Sequence, residues 1–471
     1  MTEARPRDMV GGEGDAFPRI KTGNPQADEI LGGGFPCNSI NIVMGQPGTG
    51  KTIFAEQLLF HNASGDRPLL YATTLSEPMT KVVAYVQRFS FFDADRLGDI
   101  QYEELGASLS ERGPAALIEW LADAIKTRSP KVIVVDSFRA IHDLAISTDD
   151  TRRFISNIAG LLSAYDVTAF LLGEYTQDDI RRYPEFAVAD AIVELARQPR
   201  STRDERFMRV LKLRGSAYRE GQHAFRITAD GLELYPRLVA PRVPERYDSL
   251  TTRLSTGVRG LDELVDGGFL AGTTTLIVGM TGSGKTTLAL QFALEGIRRG
   301  EKTLYVNFQE NPAQLRRAIA NLGADPDKLR ERGFGLLYAS PVELQIDSIV
   351  VEIFEAIKTG SIQRLVIDAV GDLAAAASDS QRLHDYLYSL IQHFAARGVT
   401  TILTLESGET FTGGGMAHDQ RFSYMSDNLI YLAWNPEKVG HRTLRIVKMR
   451  GSAHERDLHE FEITGHGARV K

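Results

Sequence analysis

"GQPGTGKT" occupies residues 45–52, between the β-branched run "INIVM" (40–44) and the helical stretch "KTIFAEQLLFHNA" (51–63). It satisfies the pattern G-x-x-x-x-G-K-[ST], which cradles nucleotide phosphates when it lies between a strand and a helix. Its glycines allow backbone N–H groups to turn inward around the phosphates, and the following helix contributes its positive N-terminal end. The stretch therefore predicts a P-loop, and with it the fold class.

The chain carries this pattern twice. Residues 19–52 and 253–286 align without a gap at a constant offset of 234, which places a second P-loop, "GMTGSGKT", at 279–286. The correspondence continues to "KLRGSAYREGQHAFRIT" (212–228) and "KMRGSAHERDLHEFEIT" (448–464). Self-similarity at one fixed spacing is the signature of a repeat. We infer a tandem duplication of one domain.

The repeat also fixes the predicted fold and domain boundaries. Short apolar runs such as "VIVVD" (132–136) alternate with helical stretches in each copy, which indicates a largely parallel sheet covered on both sides. We predict an α/β fold with two tandem P-loop NTPase domains, each a mostly parallel sheet flanked by helices. The predicted division is a flexible N-terminal tail (1–16), a first domain (17–237), a linker (238–248) and a second domain (249–471).

Composition narrows the class of protein. Hydrophobic residues make up 43% of the 471 positions and charged residues 24%, as in soluble globular proteins. The net charge of −7 disfavours a dedicated duplex-DNA binder, which needs a basic face, so nucleic acid is not the expected partner. Cys37 is the only cysteine, which fits a reducing compartment. Because no apolar stretch is long enough to span a bilayer, we expect a cytoplasmic protein without a membrane partner.

The two P-loops define the predicted contacts to ATP and Mg²⁺. Lys51 and Lys285 are expected to reach the β- and γ-phosphates. The predicted Mg²⁺ ligands combine a P-loop hydroxyl with an acidic residue that ends an apolar run, namely Thr52 with Asp136 and Thr286 with Asp368. The full predicted nucleotide contacts are Gly45, Gly48, Thr49, Gly50, Lys51, Thr52 and Ile53 in the first copy, and Gly279, Gly282, Ser283, Gly284, Lys285, Thr286 and Thr287 in the second.

Hydrolysis also requires a group that orients or activates the attacking water. Glu77 and Glu310 lie at equivalent positions after the strand that follows the P-loop helix, and they are the predicted catalytic carboxylates. A solvated surface glutamate is the alternative interpretation of this position. Glu174 and Glu406, which also recur, are candidates for sensing the γ-phosphate.

Each copy contains a basic pair separated by one residue, Lys212/Arg214 in "KLRG" and Lys448/Arg450 in "KMRG". On a strand, both side chains of such a pair point to the same face. They could decorate an edge strand, but their recurrence favours neutralisation of charge at a γ-phosphate, as an arginine finger does. Because they lie far from the P-loop in sequence, we expect that they could act on a neighbouring subunit.

The paired P-loops, the "TG...LD...GG" lead-in and the "K-x-R-G-S" segments resemble the KaiC family from about Phe17 to Gly467. These are the double-domain RecA-like ATPases of the cyanobacterial circadian clock and their bacterial and archaeal relatives. The resemblance implies two RecA-like domains in a homo-hexameric ring of two stacked tiers. It also implies that ATP binds between adjacent subunits and that the basic pairs reach the ATP of a neighbour.

The resemblance further implies serine/threonine autokinase activity in the second domain. The matching stretch is "HDQRFSYMSDNLIYL" (418–432), in which Ser423 falls on the phosphorylated serine of the family and Tyr424 on its threonine. The first copy has Phe186 and Ala187 at these positions and offers no hydroxyl. Phosphorylation is therefore predicted on Ser423 alone.

Three departures from the family pattern modify these expectations. Ser76 and Gln309 replace the first of the family's two adjacent glutamates. In the second domain that glutamate is the one expected to activate the acceptor hydroxyl, and the amide of Gln309 cannot act as a carboxylate base. Tyr424 places a phenol where the family has a threonine. The sequence ends at Lys471, before the family's tail that binds KaiA, so KaiA is not expected as a partner, whereas a KaiB-like partner stays open.

The sequence thus predicts a KaiC-like protein that binds and hydrolyses ATP in a two-tiered ring, with autokinase activity at Ser423, in clock-like or stress or signalling regulation. One alternative is a RecA-type nucleic-acid-dependent ATPase, which would need basic or aromatic loops for single strands. The local basic run "RQPRSTRDERFMR" (197–209) is the nearest feature of that kind. The other alternative is a nucleotide-gated scaffold that does not hydrolyse ATP.

Overall fold

The chain divides into two compact units, and the boundary along the sequence lies between Arg237 and Leu238. A computed structural model describes residues 18–74, 78–144, 148–200, 203–241, 251–342, 344–376, 380–407, 424–435 and 437–471.

The first unit alternates strands and helices, as its sequence predicts. Its described strands are Arg19–Ile20 (β1), Phe35–Pro36 (β2), Ile40–Met44 (β3), Leu69–Thr73 (β4), Ile100–Glu104 (β5), Val132–Asp136 (β6), Thr168–Gly173 (β7), Ala191–Arg200 (β8), Arg203–Leu213 (β9), His223–Thr228 (β10) and Gly231–Tyr235 (β11). Its described α-helices are Pro25–Ile30 (α1), Lys51–Asn62 (α2), Met79–Val86 (α3), Gly106–Arg112 (α4), Ala115–Arg128 (α5), Thr148–Ser163 (α6), Asp179–Arg182 (α7) and Glu185–Val188 (α8). Short 3₁₀ helices cover Leu97–Asp99 and Phe138–Leu144.

One nine-stranded sheet organises this unit, in the order β11-β10-β9-β8-β3-β7-β6-β4-β5. The strands from β8 to β5 in that order pair in parallel, and β9, β10 and β11 extend the sheet in antiparallel fashion. Parallel neighbours need crossover helices, which cover both faces of the sheet.

The second unit repeats this architecture. Its described strands are Arg253–Leu254 (β12), Phe269–Leu270 (β13), Thr274–Gly279 (β14), Thr303–Asn307 (β15), Phe334–Tyr338 (β16), Arg364–Asp368 (β17), Thr400–Glu406 (β18), Asn428–Trp434 (β19), Arg442–Met449 (β20), His459–Thr464 (β21) and Gly467–Val470 (β22). Its described α-helices are Leu261–Leu264 (α9), Lys285–Arg298 (α10), Pro312–Asn321 (α11), Pro326–Glu331 (α12), Ile346–Gly360 (α13), Val370–Ala376 (α14) and Ser380–Ala396 (α15). The sheet order is β16-β15-β17-β18-β14-β19-β20-β21-β22, the same arrangement strand for strand. The predicted fold class is confirmed.

The central strand explains why both faces of the sheet are covered. Every residue of β3 is buried, and successive side chains point to opposite faces. Val43 packs in the cluster that contains Phe54 of α2, whereas Ile42 packs in the cluster that contains Leu121 of α5 and Ile155 of α6. A strand that is buried on both faces, with four apolar residues out of five, is typical of a parallel sheet between two helical layers.

One acid, Glu56, lies on the buried face of α2. The Tyr102 hydroxyl donates a hydrogen bond to Glu56 Oε2 at 2.8 Å, and Oε1 is buried with no hydrogen-bond partner among the residues that the structure describes. Burial favours the neutral acid and raises the pKa of Glu56 to about 8, although the Tyr102 hydrogen bond acts in the opposite direction. The corresponding residue of the second unit is Leu290.

The raised pKa of Glu56 predicts a stability that falls with pH. The folded chain holds this proton up to about pH 8, whereas the unfolded chain releases it near the ordinary value of 4.5, so the folded state binds more protons between these limits. Glu56→Leu, which copies Leu290, should remove a destabilisation that grows to about 4 kcal/mol at pH 8 and is small at pH 5.

Urea denaturation followed by the fluorescence of Trp120 measures this effect. The chain has two tryptophans, so a Trp434→Phe background restricts the signal to the first unit. Glu56→Gln, which keeps an acceptor for Tyr102 but cannot ionise, is the matched control and should also abolish the pH dependence. An unchanged pH dependence in both variants would contradict the assignment.

Candidate nucleotide site

The first loop has the backbone shape that its glycines predict. Gly48 and Gly50 have φ of 72° and 97°, in the left-handed region that favours glycine, and Gly50 is the residue from which α2 begins. At Gly45, a Cβ atom would lie 2.1 Å from the carbonyl oxygen of Leu195 on β8, so no larger residue fits there. The loop therefore turns tightly between β3 and α2, with the helix N-terminus facing its concave side.

Lys51 folds its side chain back over this loop. Its Nζ donates hydrogen bonds to the carbonyl oxygens of Gly45 at 2.9 Å and Gln46 at 3.1 Å. Burial lowers the pKa of Lys51, and the carboxylates of Glu174 and Asp136 oppose this by favouring the charged amine. The amine is thus held at the mouth of the loop, next to two acids that end neighbouring strands.

An oxygen cluster lies beside the loop at the carboxyl edge of the sheet. The Thr52 hydroxyl donates to Asp136 Oδ2 at 2.8 Å, and the Tyr71 hydroxyl donates to the same oxygen at 2.7 Å. Hydroxyl and carboxylate oxygens are the donors that Mg²⁺ prefers, and Mg²⁺ takes most of its remaining ligands from water and phosphates. Thr52 and Asp136 therefore fit the metal that the sequence predicts.

A cavity of about 920 Å³ opens over these groups. Its lining combines the polar residues Lys51, Thr52 and Asp136 with apolar residues that include Val86 and Ile227. A concave site of this volume, with a few polar groups among apolar residues, accommodates a small organic ligand. Both the volume and the mixed lining suit a nucleotide.

The second loop repeats the first. Gly282 and Gly284 have φ of 74° and 106°, and a Cβ atom at Gly279 would lie 2.4 Å from the carbonyl oxygen of Leu432. Lys285 Nζ donates to the carbonyl oxygens of Gly279 at 2.8 Å and Met280 at 3.0 Å. Burial lowers the pKa of Lys285, opposed by the carboxylates of Glu406 and Asp368.

The acidic residue of the second site has different partners. Asp368 is buried, and it accepts hydrogen bonds from the hydroxyls of Tyr305, at 2.8 Å, and Thr404. Tyr305 corresponds to Tyr71, but the position of Thr404 is Leu172 in the first unit. Thr286, the predicted partner of Asp368, is the second residue of α10, as Thr52 is of α2.

The other predicted loop residues support the turn or face the cavity. The Thr49 hydroxyl donates a hydrogen bond to the carbonyl of Gln46 at 2.8 Å. In the second unit, the backbone N–H of Ser283 donates to the carbonyl of Met280 at 3.1 Å. Ile53 lines the cavity of the first unit. Thr287 is the third residue of α10 and is half-buried.

Of the two predicted catalytic carboxylates, the structure describes Glu310, whereas Glu77 lies outside the described residues. Glu310 Oε2 is buried and has no hydrogen-bond partner among them. Burial raises the pKa of Glu310, and the Asp368 carboxylate raises it further. Its neighbour Gln309 points elsewhere, donating to the two carboxylate oxygens of Asp372 at 3.3 and 3.1 Å.

The side chains of the basic pairs donate hydrogen bonds to backbone carbonyls of the segments that precede β8 and β19. These strands lie next to β3 and β14 in their sheets. Lys212 Nζ donates to the carbonyls of Phe186 and Ala187, both at 3.3 Å, and Arg214 Nη2 donates to that of Ala187 at 3.3 Å. Arg214 also pairs with Asp190 at 3.3 Å. Burial lowers the pKa of Lys212, and the nearby Arg214 guanidinium lowers it further.

The pair of the second unit has the same surroundings. Lys448 Nζ donates to the Ser426 carbonyl at 2.6 Å, and Arg450 Nη2 donates to the Tyr424 carbonyl at 3.0 Å. Burial likewise lowers the pKa of Lys448, with Arg450 acting in the same direction. Ser423, the predicted phosphorylation site, lies outside the described residues.

These cations lie at the opposite end of the parallel strands from the P-loop. The backbone N–H of Arg214 donates a hydrogen bond to the carbonyl of Asp190. The backbone N–H of Asp190 donates in turn to the carbonyl of Ile40, the first residue of β3. Gly45 follows the last residue of β3, so the two levels are about 16 Å apart at ~3.3 Å per residue. Arg450, Asp427 and Thr274 form the same ladder in the second unit.

Within the basic run at 197–209, residues 197–200 belong to β8 and residues 203–209 to β9. Arg197 forms an ion pair with Asp204 across this hairpin. None of the helices in the described part of the chain has the length and apolar character to cross a bilayer. No cluster of three or more His, Cys, Asp or Glu side chains there is arranged to hold a metal ion by itself.

Sequence reasoning missed three members of the site. Tyr71 and Tyr305 recur at the same offset as the P-loops, so the repeat contained a signal for them. Thr404 occurs in one copy only, and its contact with Asp368 becomes visible only when β17 and β18 are known to be neighbours.

Comparison with known proteins agrees with this geometry. The family model described as the KaiC ATPase matches residues 20–239 and again 254–471. The circadian clock oscillator protein KaiC of Rippkaea orientalis is 29% identical, over 96% of this chain and 88% of its own length. KaiC 1 of Synechocystis sp. is 28% identical, over 96% and 89%, and KaiC of Prochlorococcus marinus is 27% identical, over 96% and 91%. The chain therefore belongs to the KaiC family of ATPases.

Proposed function

We propose that the protein hydrolyses ATP at two sites per chain, each completed by the basic pair of an adjacent subunit. The observation that carries this proposal is the position of Arg214 and Arg450 at the edge of the sheet opposite the P-loops. A guanidinium at that edge cannot reach the γ-phosphate of its own site, but it can reach one held by a neighbour in a closed ring. A homo-hexameric ring of two tiers, as in the family resemblance, satisfies both copies at once.

The residues at each site divide the chemistry between them. Lys51 and Lys285 neutralise phosphate charge, and Mg²⁺, when bound, would supply further electrostatic stabilisation of the charge that develops on the phosphates. Thr52 with Asp136, and Thr286 with Asp368, would hold the metal. Glu310, with an unpartnered oxygen and a raised pKa, suits the orientation or deprotonation of the attacking water in the second unit, and Glu77 has that role in the first.

The autokinase activity belongs to the second unit in this proposal. The Arg450 guanidinium bonds the carbonyl of Tyr424, so the residue that follows Ser423 lies against the basic pair. That contact would present Ser423 to the same neighbouring ATP. Gln309, bound to Asp372 and without a carboxylate, leaves Glu310 as the base at this site. A regulatory role in the cytoplasm, with a KaiB-like partner and without KaiA, would follow from the resemblance.

Removal of the guanidinium tests the composite site. Arg214→Ala and Arg450→Ala should each lower the kcat for ATP of the affected tier by about 1,000-fold, because an arginine finger acts on the transition state. The binding constant for a non-hydrolysable ATP analogue should stay nearly unchanged. Phosphate release in Lys285→Ala and Lys51→Ala backgrounds isolates the first and the second tier respectively.

Arg209→Ala and Arg445→Ala are the matched controls, since these arginines lie at equivalent positions on β9 and β20, the strands that end directly before Arg214 and Arg450. They should keep normal turnover. Equal losses in finger and control variants would contradict the role of the pair. A wild-type chain with no turnover at all would support the non-hydrolysing scaffold instead.

Incubation with Mg²⁺ and ATP followed by mass spectrometry tests the autokinase. We expect phosphate on Ser423 and none in Ser423→Ala. Gln309→Glu should increase the rate of phosphorylation, because it restores a carboxylate next to the acceptor, about 10²-fold for a positioned general base. Phosphate on Tyr424 alone, or an unmodified chain, would refute this part of the proposal.

A further inference from the structure

A second cavity, of about 700 Å³, lies in the second unit apart from the P-loop. We call it the basic cleft, because its lining includes the cations Arg259, Arg298, Lys328, Arg332 and Arg469 against one carboxylate, Asp325. Arg298 is the last residue of α10, thirteen residues after Lys285, which is about 20 Å along a helix axis at 1.5 Å per residue. The cleft is therefore a separate site from the phosphate loop.

The first unit supplies an internal comparison, because the floor of the cleft is common to both. Gln291 donates to the carbonyls of Gly257 and Ala468, at 3.2 and 3.3 Å. Its counterpart Gln57 donates to the carbonyl of Gly23 at 3.3 Å and accepts from the N–H of Leu232 at 3.3 Å. The two units thus share the same helix–strand framework here.

The walls above that floor differ. In the first unit, Phe60 packs against Phe91 and Phe92 with ring centroids 6.1 and 5.3 Å apart, and a Cβ atom at Gly231 would lie 3.2 Å from the Phe91 ring. Phe60 corresponds to Leu294, which lines the basic cleft. The first unit therefore fills with aromatic rings the space that the second unit leaves open.

The charges at the positions that line the basic cleft also differ between the two units. The positions of Arg259, Arg298, His466 and Arg469 are occupied in the first unit by Pro25, Ser64, Asp230 and Glu233. At these four positions the second unit has three arginines and a histidine where the first unit has neutral or acidic residues, around an equivalent floor. The duplicated framework does not need these cations, so the fold alone does not account for them.

The cations are available to an incoming anion. Arg298 pairs with Glu295 at 2.7 Å, Lys328 with Asp325 at 3.6 Å and Arg469 with Glu462 at 2.6 Å, yet the three basic side chains are 65%, 77% and 43% exposed. Ion pairs at such exposure are weak, and a phosphate can replace them with charge-assisted hydrogen bonds. Arg259 is exposed and has no ion pair within the described part of the chain.

The lining of the cleft also includes the apolar residues Leu294, Ile297, Leu322 and Leu329. A concave site lined by both apolar residues and cations suits a small ligand that has both a ring and a phosphate. We propose that the basic cleft binds a small phosphorylated nucleoside or a molecule of the same chemistry. This site is additional to the two P-loop sites and does not depend on hydrolysis there.

AMP is a suitable probe, because it lacks the β- and γ-phosphates that a P-loop lysine contacts. The full chain is first saturated with Mg²⁺ and a non-hydrolysable ATP analogue, and AMP is then titrated in a calorimeter. We expect one AMP per chain. Arg298→Ser with Arg469→Glu, which copies Ser64 and Glu233, should weaken AMP binding at least about tenfold through the loss of two charge-assisted hydrogen bonds.

Two further variants keep the test independent of folding and of net charge. Leu294→Phe, which copies Phe60, should weaken AMP by filling the cleft without changing its charge. Lys438→Glu, in the exposed turn between β19 and β20, changes charge outside the cleft and should leave AMP binding intact. Absence of AMP binding, equal binding by the double variant, or binding of oligonucleotides in place of AMP would overturn the proposal.

Discussion

The parallel pairing of β3 with β7 and β8 is the constraint on which the rest of the structure depends. Parallel strands end at the same edge of a sheet, so the P-loop after β3 and the acid that ends β6 come together there. The same pairing places the start of β8 at the other edge, and with it Arg214, which directly follows the last residue of β9. One strand order thus brings together the groups proposed to bind phosphate and Mg²⁺ and separates them from the basic pairs of the same unit. The second unit has the same strand order, so the corresponding groups are arranged in the same way there.

The sequence predicts the parts of this site that recur at a fixed offset. The P-loops, Asp136 with Asp368, and the basic pairs are local patterns that a repeat makes visible, and the α/β class follows from the apolar runs between helices. Contacts between strands that are distant in sequence could not be predicted in this way. The hydrogen bond from Tyr71 to Asp136 requires β4 to lie next to β6. The hydrogen bond from Gln309 to Asp372 likewise requires β15 to lie next to β17.

The differences between the copies show where the duplicated framework has been adapted. The buried Glu56 of the first unit is Leu290 in the second, and Leu172 is replaced by Thr404, which bonds to Asp368. Phenylalanines fill one flank of the first unit, whereas the second has an open cleft lined by cations. The two nucleotide sites therefore share their loops and differ in the groups around them.

The central claim is that each ATP is completed by a neighbouring subunit, and mixing two inactive chains tests it most directly. One parent carries Lys51→Ala and Lys285→Ala and keeps its basic pairs; the other carries Arg214→Ala and Arg450→Ala and keeps its P-loops. After subunit exchange at equal amounts, a competent P-loop faces an intact pair at about one quarter of the interfaces in a randomly mixed ring. The account predicts that ATP turnover reappears at about that fraction of the wild-type rate. Turnover no higher than the sum of the separate parents would contradict it.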